Sequence, residues 1–209
     1  ERKTLAADIH PLLKTRGVPG THDIALALNT IDSLIKGTGE TLVPRFDKST
    51  DDRHSEADWD RVSGPIDVIV FEGWCVGAKP QSEEALAKPV NSLESERDAD
   101  GIWRNFFNRA LTTDYQPLFD KVDKLIMLRA PSFDAVFNWR LEQEQKMIAQ
   151  LAEQNNTDRS GVMSQAQIAE FIAHYQRITE FSLAEMPSRA DHLFQLDAQR
   201  QIINYSGSV

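Results

Sequence analysis

The sequence predicts an α/β layered fold, a mainly parallel sheet flanked by helices. Two observations carry this. Stretches with helical periodicity alternate with short runs of β-branched and apolar residues, the pattern of β–α units. Two of those runs, Ile66-Asp67-Val68-Ile69-Val70-Phe71 and Lys124-Leu125-Ile126-Met127-Leu128, are nearly continuous in apolarity, as in strands covered on both faces. With 209 residues, 41% of them hydrophobic, the chain can fill one sizeable core, so 1–209 is expected to form a single domain.

The elements follow in order. Residues 3–13 read as helical and end against Arg16-Gly17. The turn Arg16-Gly17-Val18-Pro19-Gly20-Thr21-His22-Asp23 then opens a helix over 23–36. Thr21 is a good N-cap, and Asp23 suits the positive end of the helix dipole. Ile24, Leu28, Ile31 and Ile35 make one apolar stripe, and Gly37 is a natural stop. Residues 41–46 look extended, with Pro44 excluding a central strand. The polar stretch 47–60 reads as a loop, and the buried strand 66–71 follows it. A long polar connection, 75–98, holds a short helix around 82–86. Trp103, Phe106, Phe107 and Ala110 fall at helical spacing. After the second strand, Ser132 caps a long helix to about residue 154, and Ser164-x-x-Gln167 is a capping box for another. His192–Leu196 is a third strand, with a last edge piece over 201–205. The helices within 132–190 form a flap, or lid, on the sheet.

Composition limits the function. With 32 acidic against 23 basic residues the net charge is −9, which argues against general nucleic-acid binding. A few local arginines can still hold a small anion. No apolar run approaches the ~20 residues that span a bilayer, and the first residues are not followed by a signal-peptide core. A lone cysteine, Cys75, fits a reducing compartment, so the cytoplasm is the expected location. Oligomeric state is not legible.

Four constellations could carry chemistry. Exposed amides at the start of the 23–36 helix, with Arg16 beside them, make a seat for a small anion; a merely well-capped helix start is the competing reading. Glu72 follows the apolar strand 66–71, the Walker B arrangement that holds Mg²⁺ beside a nucleotide phosphate, unless the strand simply ends in an acid at the water's edge. Arg45, Lys48 and Arg53, with Asp47 to orient one of them, could converge on a carboxylate or phosphoryl group, or form a solvated loop. Arg140, on the long helix, could reach nucleotide phosphates from a closing lid, or sit on an exposed face beside a Glu142–Lys146 pair. The other histidines, His10, His54, His174 and His192, show no metal-ligand spacing.

Taken in order, Arg-Gly-x-Pro-Gly-Thr-His-Asp, Val-Pro-Arg-Phe-Asp-Lys-Ser with a following Asp-Arg, and a strand ending Phe-Glu-Gly-Trp resemble the D-glycerate 3-kinase group of P-loop kinases. That superfamily includes phosphoribulokinase, uridine kinase and bacterial pantothenate kinase. The resemblance runs from about Leu12 to the C-terminus, through Trp-Arg-Leu-Glu at 139–142 and Met-Ser-x-x-x-Ile at 163–168. It implies a P-loop-kinase-type fold and ATP- and Mg²⁺-dependent phosphoryl transfer to a hydroxyl of a small acid, D-glycerate foremost. It places Arg16, His22 and Asp23 on the acceptor side, Asp23 among the catalytic residues with Glu72 and Lys48. Arg45, Asp47, Lys48 and Arg53 would hold the substrate carboxylate or the transferring phosphoryl. Glu72 takes the Walker B role as metal carboxylate, and Arg140 acts on the nucleotide.

One departure stands out. Nothing in 1–209 matches Gly-x-x-x-x-Gly-Lys-[Ser/Thr], whose amides and lysine cradle phosphates. The family carries that loop, and the strand end supplying a general base, upstream of Arg-Gly-x-Pro-Gly. The expectation is therefore an N-terminally incomplete kinase domain, inactive as residues 1–209 alone; the competing reading is a non-catalytic anion- or nucleotide-binding module. The loop after Lys48 is shorter than the family's and lacks its glycines, leaving another hydroxy acid, a sugar or a nucleoside open as acceptor.

Overall fold

A computed structural model describes residues 2–47, 50–153 and 163–207. The chain falls into two compact units: one combines everything up to His22 with everything from Trp74 onward, and the other is Asp23–Gly73.

In the larger unit the predicted N-terminal helix divides into α1 (Arg2–Asp8) and a 3₁₀ turn, Pro11–Lys14. The break is chemical: the ring of His10 accepts the Leu12 N–H, and Pro11 cannot donate. After Trp74 come α3 (Glu83–Ala87), capped by Ser82, and α4 (Ser92–Arg97), capped by Asn91. A continuous helical run follows: α5 (Ile102–Ala110), a π turn over Leu111–Tyr115, then α6 (Gln116–Phe119). Strand β5 (Ile126–Arg129) leads to α7 (Phe133–Glu153) and α8 (Gln165–Glu185), whose Ser164/Gln167 capping box forms as predicted. Strands β6 (His192–Leu196) and β7 (Ile202–Gly207) close the chain. β6 is central, parallel to β5 and antiparallel to β7.

The core is built on the helices. Trp103, Phe107 and Leu111 bury one face of the 102–119 run, with Leu12, Leu13, Val18 and Ile168 also buried. Each such side chain stabilises by roughly 1.5–3 kcal/mol. A smaller cluster, Met127, Met186 and Leu193, holds β5 and β6 to the end of α8. Two buried ion pairs pin the polar connection. Arg104 binds Asp98 and the Leu86 carbonyl, and Arg177 grips Glu94 with both its Nε and Nη2.

The smaller unit holds α2 (Ile24–Lys36) and two antiparallel ladders. One joins β1 (Glu40–Val43) to β4 (Asp60–Ser63); the other joins β2 (Phe46–Asp47) to β3 (Asp52–Arg53). Gly37 ends α2 at φ 60°, the left-handed stop that the sequence predicts. None of its described residues is fully buried.

Two strand expectations change. Residues 66–71 run without a ladder partner among the described residues, and Val68 and Val70 are 75% and 86% exposed. A β-branched run favours extended backbone, but a strand also needs a neighbour to take its N–H and C=O groups. β5 is covered on one face, not two: Met127 is buried while Ile126 and Leu128 stand open at 58% and 65%. The predicted loop 47–60 also holds regular structure among its described residues, where the β2–β3 pair and β4 form.

Candidate functional site

The Arg16–His22 turn is built inside the larger unit. Gly17 and Gly20 take φ of 89° and 91°, open to glycine at no steric cost. Thr21 does not cap α2. Its hydroxyl donates to the Val18 carbonyl (2.7 Å) and accepts the Gly17 N–H (3.1 Å), closing the turn from within. The N-cap is Asp23, whose Oδ1 accepts the Leu26 N–H at 3.0 Å. The amides of the turn's two glycines are both engaged: the Gly20 N–H goes to the Tyr115 hydroxyl (3.0 Å) and the Gly17 N–H to Thr21.

Two aromatic residues hold the arginine end of the turn by its carbonyls. The Trp74 indole N–H donates to the Gly17 carbonyl at 2.8 Å, and the Tyr175 hydroxyl donates to the Arg16 carbonyl at 2.8 Å. Their rings meet edge to face, 4.9 Å apart. Burial pushes the Tyr175 phenol up to about 12, while the guanidiniums of Arg16, Arg140 and Arg2 pull against that rise. The guanidiniums of Arg16 and Arg140, 124 positions apart in sequence, thus both bear on this one hydroxyl. Arg140 is anchored to the buried Glu144 on its own helix and lies 5.8 Å from the Phe171 ring centre.

At the other end of the turn, His22 sits against Tyr115, with Nδ1 and the phenol oxygen 2.6 Å apart. The residue keeps open surface, yet packing along its Nδ1 edge lowers its pKa by desolvation. The ring thus favours the neutral imidazole.

In the smaller unit, Asp23 and Arg53 come together at 2.7 Å. The β2–β3 register sets Arg53 across from Phe46, and Asp47 across from Asp52. The Leu26 amide, then Arg53, hold the Asp23 carboxyl below its ordinary value, partly offset by desolvation. Asp23 thus serves as an ionised anchor for Arg53. Arg45 does not join them; it faces Asp60 at 3.6 Å. Lys48 lies outside the described residues. Glu72 is exposed on the unpaired extended segment. Among the described residues no cluster of three or more His, Cys, Asp or Glu side chains could by itself enclose a metal ion.

Tyr115 and Tyr175 are the site residues that sequence reasoning passes over. Tyr175 falls on the apolar stripe of α8 and reads as core. For Tyr115 the available signal is Leu111-Thr112-Thr113, whose two threonine hydroxyls donate to carbonyls four residues back, a habit that bends helices.

No family profile matches the sequence. Among curated proteins, the uncharacterized kinase mug58 of Schizosaccharomyces pombe is 32% identical over 187 residues, 86% of this chain and 63% of that protein. The chloroplastic D-glycerate 3-kinase of Arabidopsis thaliana is 30% identical over 191 residues, 86% of this chain and 38% of that protein. The chain therefore spans less than two thirds of either relative's length. Among solved structures, a D-glycerate 3-kinase from Cryptococcus neoformans var. grubii superposes with a TM-score of 0.77 at 25% identity, covering 98% of this chain and 73% of that one. Over the region they share, the chain is a homologue of D-glycerate 3-kinase and related kinases, and it has their mixed α/β, P-loop-kinase-type fold.

Proposed function

We propose that the protein is an ATP-dependent small-molecule kinase that transfers the γ-phosphoryl group to a hydroxyl of a small acid, D-glycerate. The observation that carries this is the match to D-glycerate 3-kinases in both sequence and fold, together with the ordered arginine, histidine and carboxylate motifs. Phosphoryl transfer demands little covalent chemistry from the protein; positioning and charge neutralisation do the work.

Each residue has a role in this reading. Arg16, fixed through its carbonyl by Tyr175, offers a guanidinium to the acceptor. Arg140, which like Arg16 bears on the Tyr175 hydroxyl, acts on the nucleotide phosphates. His22 donates to the acceptor as a neutral imidazole. Asp23 keeps Arg53 in place, and Arg53, with Asp47, Lys48 and Arg45, serves the carboxylate or the transferring phosphoryl. The Asp23 carboxylate already accepts from Leu26 and Arg53, so we assign it positioning rather than proton transfer.

Magnesium fits the donor set. The exposed Glu72 offers hard oxygen, and one or two carboxylates plus substrate phosphates are this ion's usual protein ligands. Glu72 would hold it, and it would neutralise charge on the β- and γ-phosphates. A cytoplasmic location belongs to the same reading, supported by the single Cys75, buried and with its thiol pushed up to about 12 by desolvation.

The test is ADP release by the full-length protein with ATP, Mg²⁺ and D-glycerate, beside Glu72→Gln. We expect glycerate-dependent turnover, and a fall by orders of magnitude in the variant with the fold intact. Turnover on another hydroxy compound would move the substrate; none across a panel of hydroxy acids, sugars and nucleosides would leave a binding module.

A further inference from the structure

We infer that Tyr115 is a positioning residue that fixes the tautomer of His22, making its Nε2–H a permanent hydrogen-bond donor to the acceptor substrate and excluding His22 as the base. This rests on the reading of His22 as an acceptor-binding residue.

The tautomer follows from a count of hydrogens. Tyr115 is 2% exposed, so its hydroxyl has to be satisfied within the protein. The phenol oxygen accepts the Gly20 N–H at 3.0 Å. Its own hydrogen then needs an acceptor, and the partner at hand is His22 Nδ1, 2.6 Å away. Nδ1 therefore carries the lone pair. A neutral imidazole with Nδ1 unprotonated has its hydrogen on Nε2. The opposite tautomer would bring two donors, the Gly20 amide and Nδ1–H, onto one oxygen and leave the buried phenol hydrogen without an acceptor.

Geometry makes the arrangement rigid. The rings of His22 and Tyr115 stand edge to face, 5.9 Å apart at 67°. Tyr115 ends the π turn Leu111–Tyr115, and such turns recur at functional sites because they redirect side chains within a helix. Gly20 has φ of 91° and lies against the Phe106 ring of the preceding helix. The π-turn helix therefore holds the glycine turn and the imidazole together. His22 Nε2 makes no hydrogen bond among the described residues, and His22 is exposed, so the fixed donor is left for a ligand. A carboxylate or phosphoryl oxygen, which only accepts, is the chemistry it suits.

The test uses ¹⁵N-histidine NMR of the full-length protein at neutral pH, with acceptor kinetics of four variants. We expect His22 to show the Nε2–H tautomer, and Tyr115→Phe to yield a mixture of tautomers with about a tenfold rise in acceptor KM and little change in kcat. His22→Gln, which keeps an N–H near the Nε2 position, should retain much of the acceptor affinity, and Tyr115→Phe should add little in that background. An Nδ1–H tautomer in the unmodified protein overturns the inference. So does a tautomer or KM unmoved by Tyr115→Phe while His22→Ala raises KM. If His22→Ala leaves acceptor KM unchanged, the substrate reading of His22 fails instead, and the inferred donor role fails with it, whatever the tautomer.

Discussion

Replacing Arg177 by methionine tests how the polar connection after Trp74 is held. The guanidinium grips Glu94 at 2.7 and 2.6 Å, and donates to the Ala85 carbonyl and the Gln81 side chain at 3.1 and 3.3 Å and to the Lys88 carbonyl at 2.5 Å. The two side chains are 3% and 1% exposed, so water cannot replace what is lost. Methionine roughly matches the aliphatic stem but leaves the Glu94 carboxylate buried beside a single remaining donor, the Val90 N–H at 2.9 Å. Breaking a buried pair from one side costs about 3–5 kcal/mol, which for a chain of this size lowers the melting temperature by roughly 6–20 °C. Arg177→Met with Glu94→Leu removes both charges, and should be more stable than Arg177→Met alone by about 1–3 kcal/mol. Urea denaturation followed by circular dichroism reads both. A single-variant loss below about 1 kcal/mol, or a double variant whose loss is the plain sum, would refute this account of the pair.

Two further perturbations test the site's scaffold. Gly17→Ala and Gly20→Ala both force alanine to positive φ, a cost of about 1–2 kcal/mol. At Gly20 the new Cβ would also lie 2.5 Å from Phe106 Cε1, adding roughly 1–3 kcal/mol as the ring is displaced. At Gly17 the nearest atom is 3.7 Å away, so the urea midpoints should order wild type, Gly17→Ala, Gly20→Ala; equal losses would count against the close packing. Stability should also fall on mild acidification. Burial lowers the pKa of both His22 and His174 below the ordinary 6.5, so below about that pH the unfolded chain binds more protons than the folded one. The contribution is level above pH 6.5 and declines below it until the lowered values are passed. A midpoint at about pH 5.5 that equals or exceeds the one at about 7.5 would contradict it, and His174→Gln should flatten the slope.

Much of the fold was legible because its causes are local. The Ser164 box, the Gly37 stop and the stripe Trp103–Phe107–Ala110 depend on neighbours within one or two turns, which spacing in sequence records. The cap of α2 was misread by two residues, since Thr21 and Asp23 are both competent caps. The choice fell to whichever was not needed elsewhere, and Thr21 was needed to close its own turn. Arg45 shows the same competition for partners. A cation in a charged loop takes the carboxylate that the ladder brings near, and β1–β4 pairing brings Asp60.

The α/β class, most helix limits and the order of motifs that marks the kinase resemblance can be read from the residues alone. These rest on periodicity, capping and residue identity, all short-range. Long-range packing set the rest: that Tyr115 reaches His22 across 93 positions, that Tyr175 reaches the Arg16 carbonyl across 159, and that Arg53 settles on Asp23 across 30. It also decided that 66–71 stays unpaired among the described residues while β6 pairs on both edges. Hydrogen bonds of this kind are set by which elements the closed chain brings within about 3 Å. A side chain's type says what it can bond to, and the packing of distant elements says what it does bond to.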